Sequence, residues 1–386
     1  MSRIWRRWQR LTYLGFPVGA ARKQMTRRGV ALIISVYVIA FIMLFSADLI
    51  QNSRVSLEMS LNHKDALKAE YMAKSAVNLA LILLTADFGI DLFQAQAAGG
   101  KGGGLSDGLG DIWSALNGIP IGGGTVELMA SMSEQFNLNE NLDNNVLGQL
   151  KLFDGDFTIN VSDESGRINI NFCAQDPRCS EIKAMLTALF NCPAEKQFLD
   201  QELLKEQLES PDQLVSLIVD WVDFNKKPQD QSGFNGEDDP YQDNDPPYKA
   251  KNAPFDSFEE LRLIRGWNER IHTVFLPYIT IFPYQQTQTD RAKINLNTAP
   301  RELLQCFFPE SRGQCSEQST LALHNRNSEQ TNLAEGGAKI KDVLKQTLCY
   351  QQDGAAGSGE KKEDWFTSNS MVFRVEATGS VGDRDK

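Results

Sequence analysis

The first 29 residues contain no aspartate or glutamate, against eight lysines and arginines. The rest of the chain is short of base: 31 basic residues face 50 acidic ones, a net of −19. A body this acidic repels a phosphate backbone and suits divalent cations or basic partners. Cysteine is missing from the N-terminal third, and all six cysteines lie between Cys173 and Cys349. None forms a CxxC pair, and only His63, His272 and His324 supply imidazole, so no zinc cluster is indicated. No P-loop is present, which sets nucleotide chemistry aside. Between 51 and 87 there is neither proline nor glycine.

What is present begins with an apolar run. After Gly29, residues 30–47 carry no charge, and Asp48 follows. A run near 20 residues spans a bilayer as a helix, and the basic flank stays on the cytoplasmic side, which sends the body outside. The breaker-free stretch continues the helical pattern through Leu57, Leu61, Leu67, Leu79, Leu83 and Leu84. One helix from Val30 to about Ala86 is therefore expected, about 85 Å long at 1.5 Å per residue. A secretory signal peptide would instead have a shorter apolar core and a small-residue cleavage site, while a plain signal anchor fits these residues equally well. The six cysteines of an exported body favour disulfides of open pairing, with buried thiols as the alternative.

Arg27-Arg28-Gly29, set directly before the apolar run, resembles a prepilin-type leader. The resemblance implies cleavage after Gly29 by a prepilin peptidase and N-methylation of Val30. Met25 offers an alternative start that would give a short leader. Pilins carry glutamate at the fifth mature position, whereas Ile34 stands there in this chain, as in the K subunits of type II secretion systems. An unpaired carboxylate at bilayer depth is costly, and a subunit with no neighbour further out gains nothing from it.

The body divides by composition. Residues 98–124 are glycine-rich and read as loop. Strands are expected at 125–130, 156–161, 167–172 and 371–377, with Ser162-Asp-Glu-Ser-Gly166 as a hairpin turn between the second and third. Helical pattern covers 181–217, 257–264, 301–307, 317–325 and 338–348. Asp220-Trp-Val-Asp-Phe224, Gly236-Glu-Asp-Asp-Pro-Tyr241, Pro246-Pro-Tyr-Lys-Ala-Lys-Asn252, Phe258-Glu-Glu-Leu-Arg262 and Ile294-Asn-Leu-Asn-Thr-Ala299 together are similar to the general secretion pathway protein K family. The implied fold class is α+β: a pilin-like long N-terminal helix packed on an antiparallel sheet, with a large helical insertion. The corresponding division is a leader (1–29), a transmembrane or filament-core helix (30–50), a pilin-like helix and sheet (51–172), an insertion (173–365) and a return strand (366–386).

Residues 220–245 hold eight carboxylates in a loop broken by glycine and proline. Clustered anions oppose folding unless neutralised, and calcium takes six to eight oxygens from flexible loops. The EF-hand spacing is absent. The family resemblance also implies calcium. Glu237, Asp238, Asp243 and Asp245 are the preferred ligands, with Asp220 and Asp223 as secondary candidates; a solvated acidic loop is the alternative.

The resemblance implies a non-enzymatic role as a minor pseudopilin. It would sit with pseudopilins I and J in a tip complex that caps and starts a periplasmic pseudopilus. Before assembly the protein would be a single-pass inner-membrane protein with a periplasmic body. Ile34, Leu57, Leu61 and Leu83 mark the expected partner seam, and exported substrates are further candidate partners. A carboxylate-pair glycosidase finds no distinct acid and base environments here. A minor pilin of a type IV pilus shares the leader and helix. A DNA-binding protein is suggested by helix-hairpin-helix-like segments at 258–266 and 295–304, but the acidic body argues against nucleic acid.

Overall fold

The computed structural model describes residues 27–97, 107–108, 111–122, 155–174, 179–283, 293–308, 322–323, 325, 333, 340–347 and 362–381. The expected strand at 125–130 lies outside these residues, as do Cys315 and Cys349. The chain forms two compact units, residues 1–67 and 68–386.

Helix α1 (Arg27–Ala97) is a single element of 71 residues, about eleven longer at its C-terminal end than the sequence pattern predicts. Gly89 does not stop it. In the first unit every residue from 29 to 60 is exposed, the apolar ones included. Among the described residues this is the one helix long and apolar enough to cross a membrane.

In the second unit the C-terminal part of α1 packs on a three-stranded antiparallel sheet. The strand order is β1 (Pro120–Gly122), β2 (Asp156–Asp163), β7 (Phe373–Ser380). Pairing of β2 with β7 runs from Asp156↔Ser380 to Asp163↔Phe373, so the C-terminal segment does return to the sheet. Alternation along β2 buries Phe157, Ile159 and Val161. The helix meets this face through the buried Met72, Ala76 and Ala80, with Leu79, Leu83 and Leu84 packed beside them. Small residues are needed because the backbones come close: a Cβ on Gly379 would stand 2.1 Å from the Ala69 carbonyl oxygen. The Asn117 side chain exchanges two 2.7 Å hydrogen bonds with the Val161 backbone, imitating a further strand.

The insertion has its own larger core. It contains α2 (Cys179–Phe190), α3 (Lys196–Lys205), α4 (Pro211–Val222), α5 (Glu269–Phe275), α6 (Arg301–Phe307) and α7 (Ile340–Thr347). Short parallel bridges join β3 (Ile168–Asn169) to β4 (Ile279–Thr280), and β5 (Ile294–Asn295) to β6 (Phe366–Thr367). Each aliphatic side chain fully buried in this core contributes roughly 1.5–3 kcal/mol. Disulfides link Cys173 to Cys179 and Cys192 to Cys306. The expected hairpin strand at 167–172 is not formed. Only Ile168 and Asn169 form a strand, and they pair with β4 instead of β2. The cause is side-chain competition: Asn171 binds the Phe255 and Ile281 carbonyls and the Phe255 N–H, while Asn169 binds the Phe282 carbonyl. Residues 258–263 form a 3-10 turn with a Ser257/Glu260 capping box instead of an α-helix.

Candidate functional site

Helix α4 starts at a Ser210 cap with Pro211 behind it, a favourable first turn. It is buried along most of its length, and it ends on the sequence Asp220-Trp-Val-Asp223. Three residues apart, the two aspartates share a helix face. Both are buried, and so is Glu237 from the following loop. Asp220 accepts the Gln229 N–H at 2.9 Å through Oδ1, and Asp223 accepts the Asn225 amide at 2.7 Å through Oδ2. The remaining oxygens, Asp220 Oδ2, Asp223 Oδ1 and both Glu237 Oε atoms, are buried and have no hydrogen-bond partner among the described residues. The Asn252 side-chain oxygen is orphaned as well; Asn252 lies beside Glu237 and holds a left-handed φ of 50°.

Burial, with the Asp223 and Asp220 charges behind it, pushes Glu237 up to about 7. Burial likewise raises Asp220 to about 7, and Lys183 eases it only slightly. Burial of unneutralised carboxylates is expensive, so a group of them with orphaned oxygens has the chemistry to hold a cation. The site rests on an aromatic group, Trp221 edge-on to Tyr241 at 5.4 Å and Tyr241 stacked on Tyr248 at 5.2 Å.

The other acids of the loop are differently employed. Asp238 accepts the Ala250 N–H at 3.1 Å and faces Lys249, while Asp239 accepts the Gly236 N–H at 2.8 Å; both hold the loop's own turns. Asp243 and Asp245, preferred on sequence grounds, are exposed. The structure therefore moves the weight to Asp220, Asp223 and Glu237. Asn252 was not legible, since only a fold shows which amide oxygen lies next to a buried acid.

A second acidic group was also missed. Asp87, Asp91 and Asp107 each place an oxygen within 4.8 Å of the others. None of these oxygens is both buried and unpartnered, and Asp107 is committed to the Ser370 N–H at 2.6 Å. Next to it, Asp163 accepts the Ser165 N–H at 2.7 Å and the hydroxyls of Thr298 and Ser370. Asn295 donates to the Asp107 carbonyl at 3.0 Å and to Ser370 Oγ at 2.6 Å. The Ile294-Asn-Leu-Asn-Thr-Ala299 segment thus ties the insertion to the end of β2 and the start of β7. Gly104-Leu-Ser-Asp-Gly108 has the spacing of a hydrolase nucleophile motif. Its serine lies outside the described residues; Asp107 and Gly108 lie in loop, and the Asp107 N–H is bonded to the Ser368 carbonyl.

Of the expected partner seam, Ile34 and Leu57 are exposed, Leu61 is half-buried, and Leu83 packs against the sheet core. Leu83 is thus partly internal.

A long apolar-to-amphipathic helix on a small antiparallel sheet, carrying a helical insertion with an acidic pocket, defines a pilin-like subunit. Residues 166–284 match the family model "Type II secretion system (T2SS), protein K". The type II secretion system protein K of Pseudomonas aeruginosa is 25% identical over 288 residues, 75% of this chain and 70% of that one. Its Aeromonas hydrophila counterpart is 34% identical over 103 residues, 26% of this chain and 29% of that one. The crystal structure of the GspK-GspI-GspJ complex from enterotoxigenic Escherichia coli contains a chain of similar fold. That match has a TM-score of 0.50 and 15% identity, and covers 83% of this chain and 89% of that one. Over residues 166–284 and beyond, the chain is thus similar to the type II secretion system protein K family.

Proposed function

We propose that this protein is a minor pseudopilin of a type II secretion system, joining minor pseudopilins I and J in a tip complex of the pseudopilus. The observation that carries the reading is the second face of α1. Met72, Ala76 and Ala80 face the sheet, while Leu81, Ile82, Phe88, Leu92 and Phe93, on the far side of the same helix, are exposed. An apolar helix face left open beside a satisfied one is an assembly surface, of the helix-on-helix kind. The sheet and insertion supply a bulky head, and Ile34 leaves no carboxylate for a subunit further out. The role is structural and not catalytic.

On this reading, prepilin peptidase cuts after Gly29 and Val30 becomes the methylated N-terminus. The apolar part of α1 rests in the inner membrane before assembly and the body is periplasmic. The two disulfides support an oxidising compartment.

Calcium is the cofactor that fits. Asp220, Asp223 and Glu237 would hold it, with Asn252 as a neutral oxygen ligand. All four are hard oxygen donors, and their unpartnered atoms need a positive charge. Bound there, the ion neutralises the buried charge and joins the end of α4 to the loop.

The assembly reading is tested by placing cysteine at Ile82 or Phe88 in cells producing pseudopilins I and J. Crosslinks from these positions to I or J are expected, and Phe88→Asp is expected to abolish them and lower secretion. Crosslinks only to shaft subunits, or full secretion with Phe88→Asp, would contradict it.

A further inference from the structure

We propose that the Trp267–His272 hydrogen bond is an acid-released latch, which holds residues 261–275 of the insertion on α2 and α3 at neutral pH and lets them go when the imidazole takes a second proton.

Both rings are buried, Trp267 at 3% and His272 at 5% exposure. The Trp267 Nε1–H donates to His272 Nδ1 at 3.2 Å. An indole N–H can only donate, so Nδ1 offers a lone pair and the single ring proton of His272 sits on Nε2. A second proton has only Nδ1 to go to. It would turn the acceptor into a donor facing another donor, strand the indole N–H and bury a charge.

The surroundings give that charge little support. In the turn before α5, Arg262 repels it, and Arg262 is itself held by Glu259 at 2.6 Å and Glu269 at 2.8 Å. Those two acids offset the repulsion only in part. On α3, Glu202 is taken up by Lys205 and Arg270, each at 2.7 Å. Helix α2 presents the Phe190 ring to Trp267. Burial, and then the Arg262 charge, push His272 below its ordinary value of 6.5. The unfolded chain takes up this proton near 6.5 and the folded chain does not. Stability is therefore lost as pH falls from 6.5 towards the folded value.

The latch holds a definite piece of the insertion. Trp267 stands 6.1 Å from Phe190, and Phe190 lies edge-on to Phe275 at 5.0 Å. Gly266 has φ +88° and packs so tightly that a Cβ there would stand 2.2 Å from Leu208. Asn268 and Arg270 reach Glu202 at 3.1 and 2.7 Å. Strand β2 and its partner β7 belong to the other core, around Ala76, so release stays within the insertion.

The test uses the full chain in detergent, with calcium present throughout. Its only histidines are His63, His272 and His324, so nitrogen-15 labelling of histidine gives a simple magnetic resonance spectrum. His63→Asn and His324→Asn identify the other two sets of signals. His272 is expected to carry its proton on Nε2 and to titrate below 6.5. Amide hydrogen exchange, corrected for the intrinsic rate, is expected to speed up about tenfold across 261–275 between pH 7.5 and 5.5, and to stay unchanged in β2 and β7. His272→Asn keeps an acceptor for Trp267 and cannot titrate, so it is expected to remove the acceleration. The natural chain's spectrum and exchange stand as tests even where that variant does not fold. A proton on Nδ1, titration at or above 6.5, no acceleration in 261–275, equal acceleration in β2 and β7, or the same acceleration in His272→Asn would each overturn the proposal.

Discussion

Asp163 and Glu237 are both acids buried in the body, and the chain surrounds them in opposite ways. Asp163 lies within reach of a backbone N–H and two hydroxyls, and its neighbour Glu164 pairs with Arg167 and Arg374 and accepts the Thr280 hydroxyl. Glu237 is met by no backbone N–H or cation among the described residues, only by the neighbouring Asn252 side chain, and its nearest charged company is Asp223 and Asp220. A buried carboxylate is stable when donors or cations meet it. At the sheet edge the protein supplies them itself; in the insertion loop it leaves the place open. The first arrangement is therefore internal architecture, and the second is the one to which the proposed function assigns a cation from solution.

The largest effect expected from breaking this contrast is at the satisfied site. Asp163→Ala strands the Ser165 N–H and the Thr298 and Ser370 hydroxyls, and it is expected to cost about 3 kcal/mol or more in denaturant unfolding, with or without calcium. Smaller and opposite in sign is Glu237→Gln in chelator. Removing an unneutralised buried charge is expected to stabilise the calcium-free protein by about 1–2 kcal/mol, and to weaken calcium binding measured by calorimetry. The same change at Asp163 would not stabilise anything.

The smallest effect is one of pH. Burial is the main cause that raises Asp107 to about 7 and Asp111 to about 6. Raised carboxylates hold protons in the folded state that the unfolded chain releases above about pH 4. Their contribution is therefore most favourable at low pH and declines as pH rises to about 7. Asp107→Asn keeps an acceptor for the Ser370 N–H. It is expected to flatten this decline and to raise stability at pH 7.5 by about 1 kcal/mol, read from Tm against pH.

Much of the fold was legible because it follows from simple periodicity. The uncharged run after Gly29, the breaker-free stretch to residue 87 and the alternation in β2 and β7 each bury or expose one face by spacing alone. The sites that were misread depend on particular side chains. Residues 167–172 alternate like a strand, but Asn169 and Asn171 draw the backbone into other contacts. The apolar helix spacing already ran through Leu79, Leu83 and Leu84, which do pack on the sheet core, whereas the close approach of Gly379 to the Ala69 backbone shows only in the fold. Composition located the acidic loop, yet Asp243 and Asp220 look alike in sequence. Only the packing of α4 against the insertion core separates an exposed acid from a buried one with an orphaned oxygen.

The most direct test of that distinction is thermal unfolding of the full chain in detergent, with calcium and with chelator, beside the variant Asp220→Asn/Asp223→Asn/Glu237→Gln. Calcium at about 100 times its Kd is predicted to stabilise the natural chain by about 2.7 kcal/mol and to leave the triple variant unmoved. An unchanged Tm in the natural chain, or the same calcium shift in the variant, would contradict the account.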